Sequence, residues 1–128
     1  MQQNTHLKID KRLCGEVVRI EKDRAEVRLT TTPEMAADKE GLVHGGFIFG
    51  AADFAAMCAV NEPNVVLAGS ECRFLAPSSV GDTIDFEAIV VKSEGHKAVV
   101  EVQAFSKGKP LFTASFKTVV TKEHVLKK

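Results

Sequence analysis

The sequence carries no excess of charge of either sign. Its 128 residues include 17 lysines and arginines and 17 aspartates and glutamates, so the formal net charge is zero and the isoelectric point is near 6.9. A protein that grips nucleic acid or an anionic membrane through electrostatics needs a basic surface. We therefore expect neither nucleic acid nor a membrane as a partner, and the length fits a single domain.

Cysteines are few, and long apolar runs are missing. Cys14, Cys58 and Cys72 form no C-x-x-C pair, and an odd number spaced this widely is a poor disulfide framework. The first residues lack the basic and then apolar layout of a signal peptide. The most apolar window, residues 45–60, is too short to span a bilayer and contains Asp53. These absences predict a soluble, cytoplasmic protein.

The sequence does contain one long helical segment between groups of strands. From Gly46 to about Val60 the residues are small or good helix formers, and Asn61 with the nearby Pro63 ends the helix. Pro33 permits a short helical turn before it. Alternating apolar residues and short polar turns predict antiparallel strands. The predicted strands are residues 16–20, 25–29, 65–77, 83–93, 97–106 and 110–121.

The long helix has no polar side for water. Its alanines cover nearly every face, and a helix that is apolar all round is a buried helix. One helix is buried on every side only when a curved antiparallel sheet wraps it and something covers the rest. The order of elements therefore predicts a single α+β hotdog domain over residues 1–128. Its core is expected at residues 15–121, with loose termini and a solvated His6.

The segment HGGFIFGAAD, residues 44–53, opens the helix with two glycines. The backbone N–H groups of Gly45 and Gly46 are unpaired there, and the helix dipole adds partial positive charge. Such an end can bind a carbonyl oxygen, and for a thioester the same donors would stabilise the oxyanion that forms during attack. The alternative is that the two glycines only make a tight turn into the helix.

Asp53 places a carboxylate inside this apolar helix. A buried carboxylate is unfavourable unless it has a partner or a task, so it is paired with a buried donor or acts as general base or nucleophile. Gly46 lies seven residues away, on the same face but about 10.5 Å along the axis. One helix cannot bring both to one carbonyl, whereas two antiparallel helices across a two-fold axis can. The spacing predicts a homodimer with two shared sites.

His44 stands nine residues before Asp53. It points to the opposite side of the helix if helical geometry extends that far. We expect it to shape the turn or to hydrogen-bond nearby backbone rather than to transfer protons. No second histidine or cysteine stands at ligand spacing, so no metal site is expected.

These features resemble the hotdog acyl-CoA thioesterases of the phenylacetate-pathway type. The motif of that family has the form N-x-x-G-x-x-H-G-G with an acid nine residues after the histidine, and Gly41, His44, Gly45, Gly46 and Asp53 fall on it. The later RFLAPSSVGDTI is similar to the family's strand-ending proline followed by Gly-Asp. The likeness covers residues 15–121.

The resemblance implies hydrolysis of an acyl-CoA thioester. The Gly46 amide would polarise the carbonyl, and Asp53 of the partner subunit would activate water or attack directly. Phe47 would line the acyl tunnel, unless it is plain core, and Arg73 would meet the phosphates of CoA. CoA is part of the substrate, and no other cofactor is expected. The predicted substrate-binding residues are His44, Gly45, Asp38, Asn61, Phe47 and Arg73.

Two positions depart from the family pattern. Asp38 stands where the family has asparagine, and an ionised carboxylate cannot donate a hydrogen bond. Leu67 stands where some members carry a hydroxyl, and Ser70 is predicted to lie on the other face of its strand. An acyl-CoA-binding protein that has lost the reaction is therefore an alternative, and a structural assembly factor is a third. Association of two dimers through their sheets is left open.

Overall fold

The fold is one long helix packed against a six-stranded antiparallel sheet, in a computed structural model that describes residues 1–127. The helices are α1 (Lys11–Cys14) and α2 (Gly45–Val60), and Pro33–Met35 forms a 3-10 turn. The strands are β1 (Glu16–Glu21), β2 (Arg24–Thr30), β3 (Val65–Phe74), β4 (Thr83–Glu94), β5 (Lys97–Ser106) and β6 (Lys109–Val120). They lie in the order β1-β2-β4-β5-β6-β3. This confirms the predicted α+β hotdog fold.

The observed boundaries differ from the predicted ones at two places that matter for the site. The helix α2 begins at Gly45, one residue earlier than predicted. The strand β3 ends at Phe74 rather than Pro77, because the amides of Leu75 and Ala76 both donate to the carbonyl of Leu111 instead of continuing the ladder. Within residues 1–127, every helix is too short or too polar to cross a bilayer.

The concave face of the sheet and the helix α2 form the core. Alternate residues of β2 and β4 are buried there because side chains on a strand point to opposite faces in turn. The alanines of α2 are fully buried, and their small side chains let the sheet approach the helix closely. The buried set comprises Ala25, Val27, Leu29, Ile84, Phe86, Ala88, Ala51, Ala52, Ala55, Ala56 and Ala59.

Part of α2 is covered by the first nine residues of the chain, which we call the N-terminal segment. Thr5 is only 2% exposed, and the ring centroid of His6 lies 6.2 Å from that of Phe54 on α2. His6 is half-buried, and burial lowers the pKa of its imidazole. The expectation of a loose N-terminus and a solvated His6 was therefore wrong. The physical reason is that an apolar helix gains stability from any cover that removes it from water.

A β-bulge in β3 changes which side chains face the helix. The pairing with β6 shifts between Leu67 and Gly69, so that Leu67 lies opposite Thr118 and Ser70 lies opposite Phe116. Thr118 and Phe116 are both buried on the concave face, and opposed residues of an antiparallel pair share a face. Ser70 therefore shares the face of Leu67, and the prediction that it lies on the other face was wrong. The bulge adds one residue to the alternation.

Candidate active site

Two loops hold the start of α2 in place. The amide of His44 donates to the carbonyl of Met35 over 2.9 Å, and the amide of Val43 donates to the carbonyl of Ser78 over 2.9 Å. These bonds tie the residues before α2 to the 3-10 turn on one side and to the β3–β4 connection on the other. The helix N-terminus is thus fixed by backbone contacts that do not depend on side-chain rotamers.

The two glycines at this N-terminus have aromatic rings against them. A Cβ added to Gly45 would lie 3.1 Å from Cε1 of Phe74, and one added to Gly46 would lie 3.0 Å from Cδ2 and Nε2 of His44. No side chain within residues 1–127 caps the helix, and Gly46 is exposed. The amide of Phe47 donates to the carbonyl of His44 over 3.1 Å, so the N–H groups of Gly45 and Gly46 are the ones available to an oxygen from outside the chain.

His44 lies beside Gly46 and not on the opposite side of α2. It is the N-cap residue, with φ −63° and ψ 130°, so its backbone is extended and helical geometry does not reach it. Its ring meets Gly46 and stands edge-on to Phe47, with centroids 6.2 Å apart. The condition attached to the predicted orientation, that helical geometry extends to residue 44, is therefore not met, and the predicted role in shaping the turn fits the observed position.

Asp53 is half-buried on α2, and its Oδ1 atom is buried without a hydrogen-bond partner in residues 1–127. Removal from water disfavours the charged form, and this raises the pKa of Asp53 from 3.8 to about 6. One alternative from the sequence was that Asp53 pairs with a buried donor. The Oδ1 atom has no such donor within residues 1–127. An unpaired carboxylate with a pKa near neutrality suits proton transfer.

The surroundings of Asp53 are almost entirely apolar. The inward faces of β2, β4 and β5 carry only aliphatic and aromatic side chains. The titratable groups on this side of α2 come from α1 and the N-terminal segment. The pKa of Cys14 is raised by burial, and further by the charges of Asp10 and Asp53, which shows that its thiol lies near the Asp53 carboxylate. His6 packs against the neighbouring Phe54.

Gly46 and Asp53 lie on one face of α2 with Gly50 between them. Seven residues correspond to about 10.5 Å along the helix axis, so one copy of the helix does not bring both groups to one carbonyl. A Cβ added to Gly50 would meet nothing within 4 Å, which shows open space over this part of the helix.

Asp38 is exposed and makes the turn that leads to Gly41. Its Oδ1 accepts hydrogen bonds from the amides of Glu40 at 3.0 Å and Leu42 at 3.1 Å. An asparagine would accept the same two bonds through its oxygen and would present an N–H₂ group where Asp38 has Oδ2. The loop geometry of the family pattern is therefore kept, while the side chain offers an acceptor instead of a donor.

The C-terminal part of β3 borders the helix N-terminus. Ser70, Cys72 and Phe74 share the concave face, since their partners on β6 all point to it, and all three are exposed. Phe74 also packs edge-on against Phe112, with centroids 5.0 Å apart. Arg73 lies on the convex face of the same strand and is exposed. The structure thus brings Phe74 to Gly45 and places Arg73 on the opposite face of the strand.

Asn61 lies at the other end of α2 from the glycines. It is the C-cap, in the left-handed conformation with φ 56° and ψ 35°. Its Oδ1 accepts from the amide of Asn4 and its Nδ2 donates to the carbonyl of Gln2, each over 2.8 Å. The side chain predicted to bind substrate is therefore occupied in holding the N-terminal segment.

Two features of the site were not predicted from the sequence. Phe74 stands over Gly45 because β3 turns away immediately after it, and the sequence showed only a strand that continued to Pro77. Cys14 reaches the vicinity of Asp53 from the four-residue α1, whose Asp10 N-cap was the available signal. Within residues 1–127, no three or more histidine, cysteine or acidic side chains gather closely enough to hold a metal ion.

Comparison with known proteins assigns the family. Residues 40–113, more than half of the chain, match the profile of the Thioesterase superfamily, and the chain belongs to that superfamily. A methylthioribose-1-phosphate isomerase of Aquifex aeolicus is 49% identical over 93% of this chain and 26% of that protein. The transcription factor FapR of Caldanaerobacter subterraneus is 27% identical over 91% of this chain and 58% of that protein. The chain thus spans about a quarter of the length of the isomerase and somewhat over half of the length of the transcription factor.

Solved structures agree on the fold. An uncharacterized protein of Pyrococcus horikoshii superposes with a TM-score of 0.98 and 42% identity over 99% of this chain and 98% of that one. The PaaI protein from the phenylacetic acid degradation operon of E. coli has a TM-score of 0.78 and 25% identity over 85% of each chain. A hypothetical thioesterase with coenzyme A from Streptococcus pneumoniae superposes with a TM-score of 0.77 and 18% identity over 85% of this chain and 87% of that one. At this identity the likeness shows the fold alone.

Proposed function

We propose that this chain is an acyl-CoA thioesterase of the phenylacetate-pathway type that works as a homodimer. The observation that carries the proposal is Asp53, a half-buried carboxylate whose Oδ1 has no partner and whose pKa is raised to about 6 by burial. At neutral pH such a group is mostly ionised yet basic enough to accept a proton. The uncapped N-terminus at Gly45 and Gly46 supplies the complementary oxyanion donors.

In the proposed reaction the thioester carbonyl oxygen accepts a hydrogen bond from the amide of Gly46. Water attacks the carbonyl carbon and gives a proton to Asp53 of the partner subunit. The C–S bond of the tetrahedral intermediate then breaks, and the proton returns to the leaving thiolate of CoA. The products are the free acid and CoA. Direct attack by the carboxylate is the variant of this scheme: it expels the CoA thiolate and forms a mixed anhydride, and water that opens this anhydride at the Asp53 carbonyl leaves label from H₂¹⁸O in Asp53 after a single turnover.

Two open surfaces support the homodimer. A Cβ at Gly50 would meet nothing within 4 Å, so this face of α2 has free space that the same face of a second, antiparallel α2 would fill. The strand β3 is a ten-residue edge of the sheet and presents unpaired backbone groups. Antiparallel packing would place Gly46 of one chain near Asp53 of the other. Whether such dimers associate further through their sheets is a separate question.

An acyl-CoA ligand is supported by the kinship of the chain and by the site itself. The S. pneumoniae relative of this fold holds coenzyme A, and the E. coli relative belongs to a phenylacetic acid degradation operon. Phe74 lies against Gly45, and Phe47 stands edge-on to His44, so the helix N-terminus has apolar rings near the place where an acyl group would lie next to its carbonyl. The three free cysteines agree with a reducing compartment, and we propose a cytoplasmic location.

A second candidate is an acyl-CoA-binding protein without turnover. Two observations favour it. Asp38 presents a carboxylate oxygen where the family pattern has an amide donor, and a related domain occurs in a transcription factor. Ser70 is an argument against the second candidate. The bulge places its hydroxyl on the concave face of β3, where Leu67 has no polar group.

Hydrolysis is tested with purified protein and acyl-CoAs of graded length, including phenylacetyl-CoA. Free CoA is followed by chromatography, because the exposed Cys72 would react with a thiol dye. We expect Asp53→Asn and Asp53→Ala to lose turnover by about 10²–10⁴-fold. The matched control is Glu101→Gln, which removes an exposed carboxylate on β5. Binding without turnover in the parent protein would favour the second candidate, and turnover that survives both Asp53 variants would sink the mechanism.

A further inference from the structure

The C-terminal end of α2 is joined to the N-terminal segment by one side chain. The amide of Asn61 accepts a hydrogen bond from the backbone of Asn4 and donates one to the backbone of Gln2, each over 2.8 Å. These contacts bridge 57 and 59 positions of sequence. Beyond them the segment is braced by its own bonds, since Nε2 of Gln3 donates to the carbonyl of Thr5 over 2.8 Å. Asn61 is therefore a two-point clamp on the segment.

The clamped segment lies over the part of α2 next to Asp53. Thr5 is 2% exposed, and His6 packs on Phe54, the residue that follows Asp53. The chain then enters α1, whose last residue, Cys14, lies near the Asp53 carboxylate. On the other side of Asp53, toward Gly50 and Gly46, the helix is open. These contacts place residues 1–14 on this side of α2, next to Asp53.

We propose that Asn61 is a positioning residue, which clamps the N-terminal segment on α2 and so keeps water away from one side of the Asp53 carboxylate. The functional meaning of this clamp rests on the proposed thioesterase reaction, in which Asp53 is the base. The clamp itself consists of two hydrogen bonds, and it does not depend on the proposed reaction. It assigns a role to a residue far from the oxyanion donors and out of reach of the thioester.

Desolvation is the main influence on the pKa of Asp53, as the groups around it show. The strands behind α2 offer no charge, α1 offers the neutral thiol of Cys14, and the N-terminal segment offers His6, whose own pKa is lowered by burial. The charged residues of α1 and its N-cap, Lys11, Arg12 and Asp10, are exposed, and burial is the cause of the raised pKa of Asp53. Opening the cover readmits water, which stabilises the charged form, so the pKa of Asp53 should fall from about 6 towards 3.8.

The test is a ¹³C NMR titration of the Asp53 carboxyl in the full chain, assigned with Asp53→Asn. The variant is Asn61→Gly, because glycine keeps the left-handed conformation at φ 56° while it removes both hydrogen bonds. Hydrogen exchange of the Ile9 amide, which donates to the carbonyl of His6 over 3.2 Å and does not depend on Asn61, reports whether the segment stays in place. The matched control is Asn64→Ala, whose amide donates to the carbonyl of Lys122 and not to the N-terminal segment.

We expect faster exchange at Ile9 and a lower Asp53 midpoint in Asn61→Gly, with neither change in the control. Unchanged exchange at Ile9 would overturn the clamp, and fast exchange with an unchanged Asp53 midpoint would overturn its effect on the carboxylate. If Asn61→Gly fails to fold, Asn61→Asp takes its place, since it keeps the acceptor for Asn4 and loses the donor to Gln2. A shifted midpoint in a protein without turnover would contradict the proposed function and leave the clamp standing.

Discussion

The two halves of the outer face of α2 differ in what covers them. Toward the C-terminus, Phe54 and Met57 are buried, and the N-terminal segment reaches this half through Asn61. Toward the N-terminus, Gly46 is exposed and a side chain at Gly50 would meet open space. Asp53 lies at the boundary. One half is covered within the chain and the other is open, and in the proposed function the open half takes a second copy and a ligand.

Met57→Ala tests the covered half and should have the largest effect on stability. Met57 is 1% exposed, and shortening a buried methionine to alanine costs about 2–5 kcal/mol through lost burial and the cavity left behind. Urea unfolding followed by circular dichroism measures the change. A loss below about 1 kcal/mol, in the range of surface substitutions, would show that this half is not sealed.

Gly50→Leu tests the open half in the same helix. A leucine there fits the isolated chain, and its higher helix propensity favours α2 by about 1 kcal/mol. It would however fill the space that a second α2 needs. We expect a shift from dimer to monomer in light scattering, with no loss of stability in the monomer. An unchanged dimer mass would mean that copies associate through another surface.

Asp53→Asn tests the boundary between the halves. The pKa of Asp53 is about 6 in the folded chain and ordinarily 3.8, so the folded state holds the extra proton and the parent loses stability as pH rises from 3.8 to 6. Partial exposure reduces the effect to about 2 kcal/mol. At pH 7 the variant should unfold at a higher urea concentration than the parent. Below pH 3.8 the two proteins should unfold at the same urea concentration. Glu101→Gln is the control, and an equal midpoint for variant and parent at pH 7 would show that Asp53 is solvated.

Asp38→Asn has the smallest expected effect and concerns the loop beside the open half. Asparagine keeps the bonds to Glu40 and Leu42 and adds a donor toward the substrate. One hydrogen bond of about 0.5–1.5 kcal/mol corresponds to a rise of roughly 2–10-fold in kcat/KM. Asp38→Ala is the control, since it removes the loop bonds without adding the donor. A kcat/KM that stays at the parent value would show that the substrate carbonyl does not reach this loop.

The covered core was predictable from sequence because its signals are periodic. Alternation along β2 and β4 and a helix of alanines on every face allow only a sheet wrapped round a helix. Asp53 was found because a carboxylate breaks that pattern. The seven-residue interval to Gly46 gave the two-chain hypothesis, which rests on helix geometry alone.

The remaining features were hidden because they depend on single residues or distant contacts. Gly69 and its neighbour Ala68 carry the bulge of β3, and strict alternation over β3 put Ser70 on the wrong face. His44 turned toward Gly46 because an N-cap residue leaves helical geometry. The N-terminal segment has no periodicity, and Asn61 binds it from 57 positions away.

The central claim is that each site takes Gly46 from one chain and Asp53 from the other. The direct test mixes Gly46→Pro, which removes the amide donor within the first turn of α2, where proline is tolerated, with Asp53→Asn, after unfolding and refolding together. Each variant alone should be inactive. Random reassembly makes half of the dimers mixed, each with one intact site of two, so the mixture should recover about a quarter of the parent activity. No recovery, with mixed dimers present by mass, would contradict the shared site.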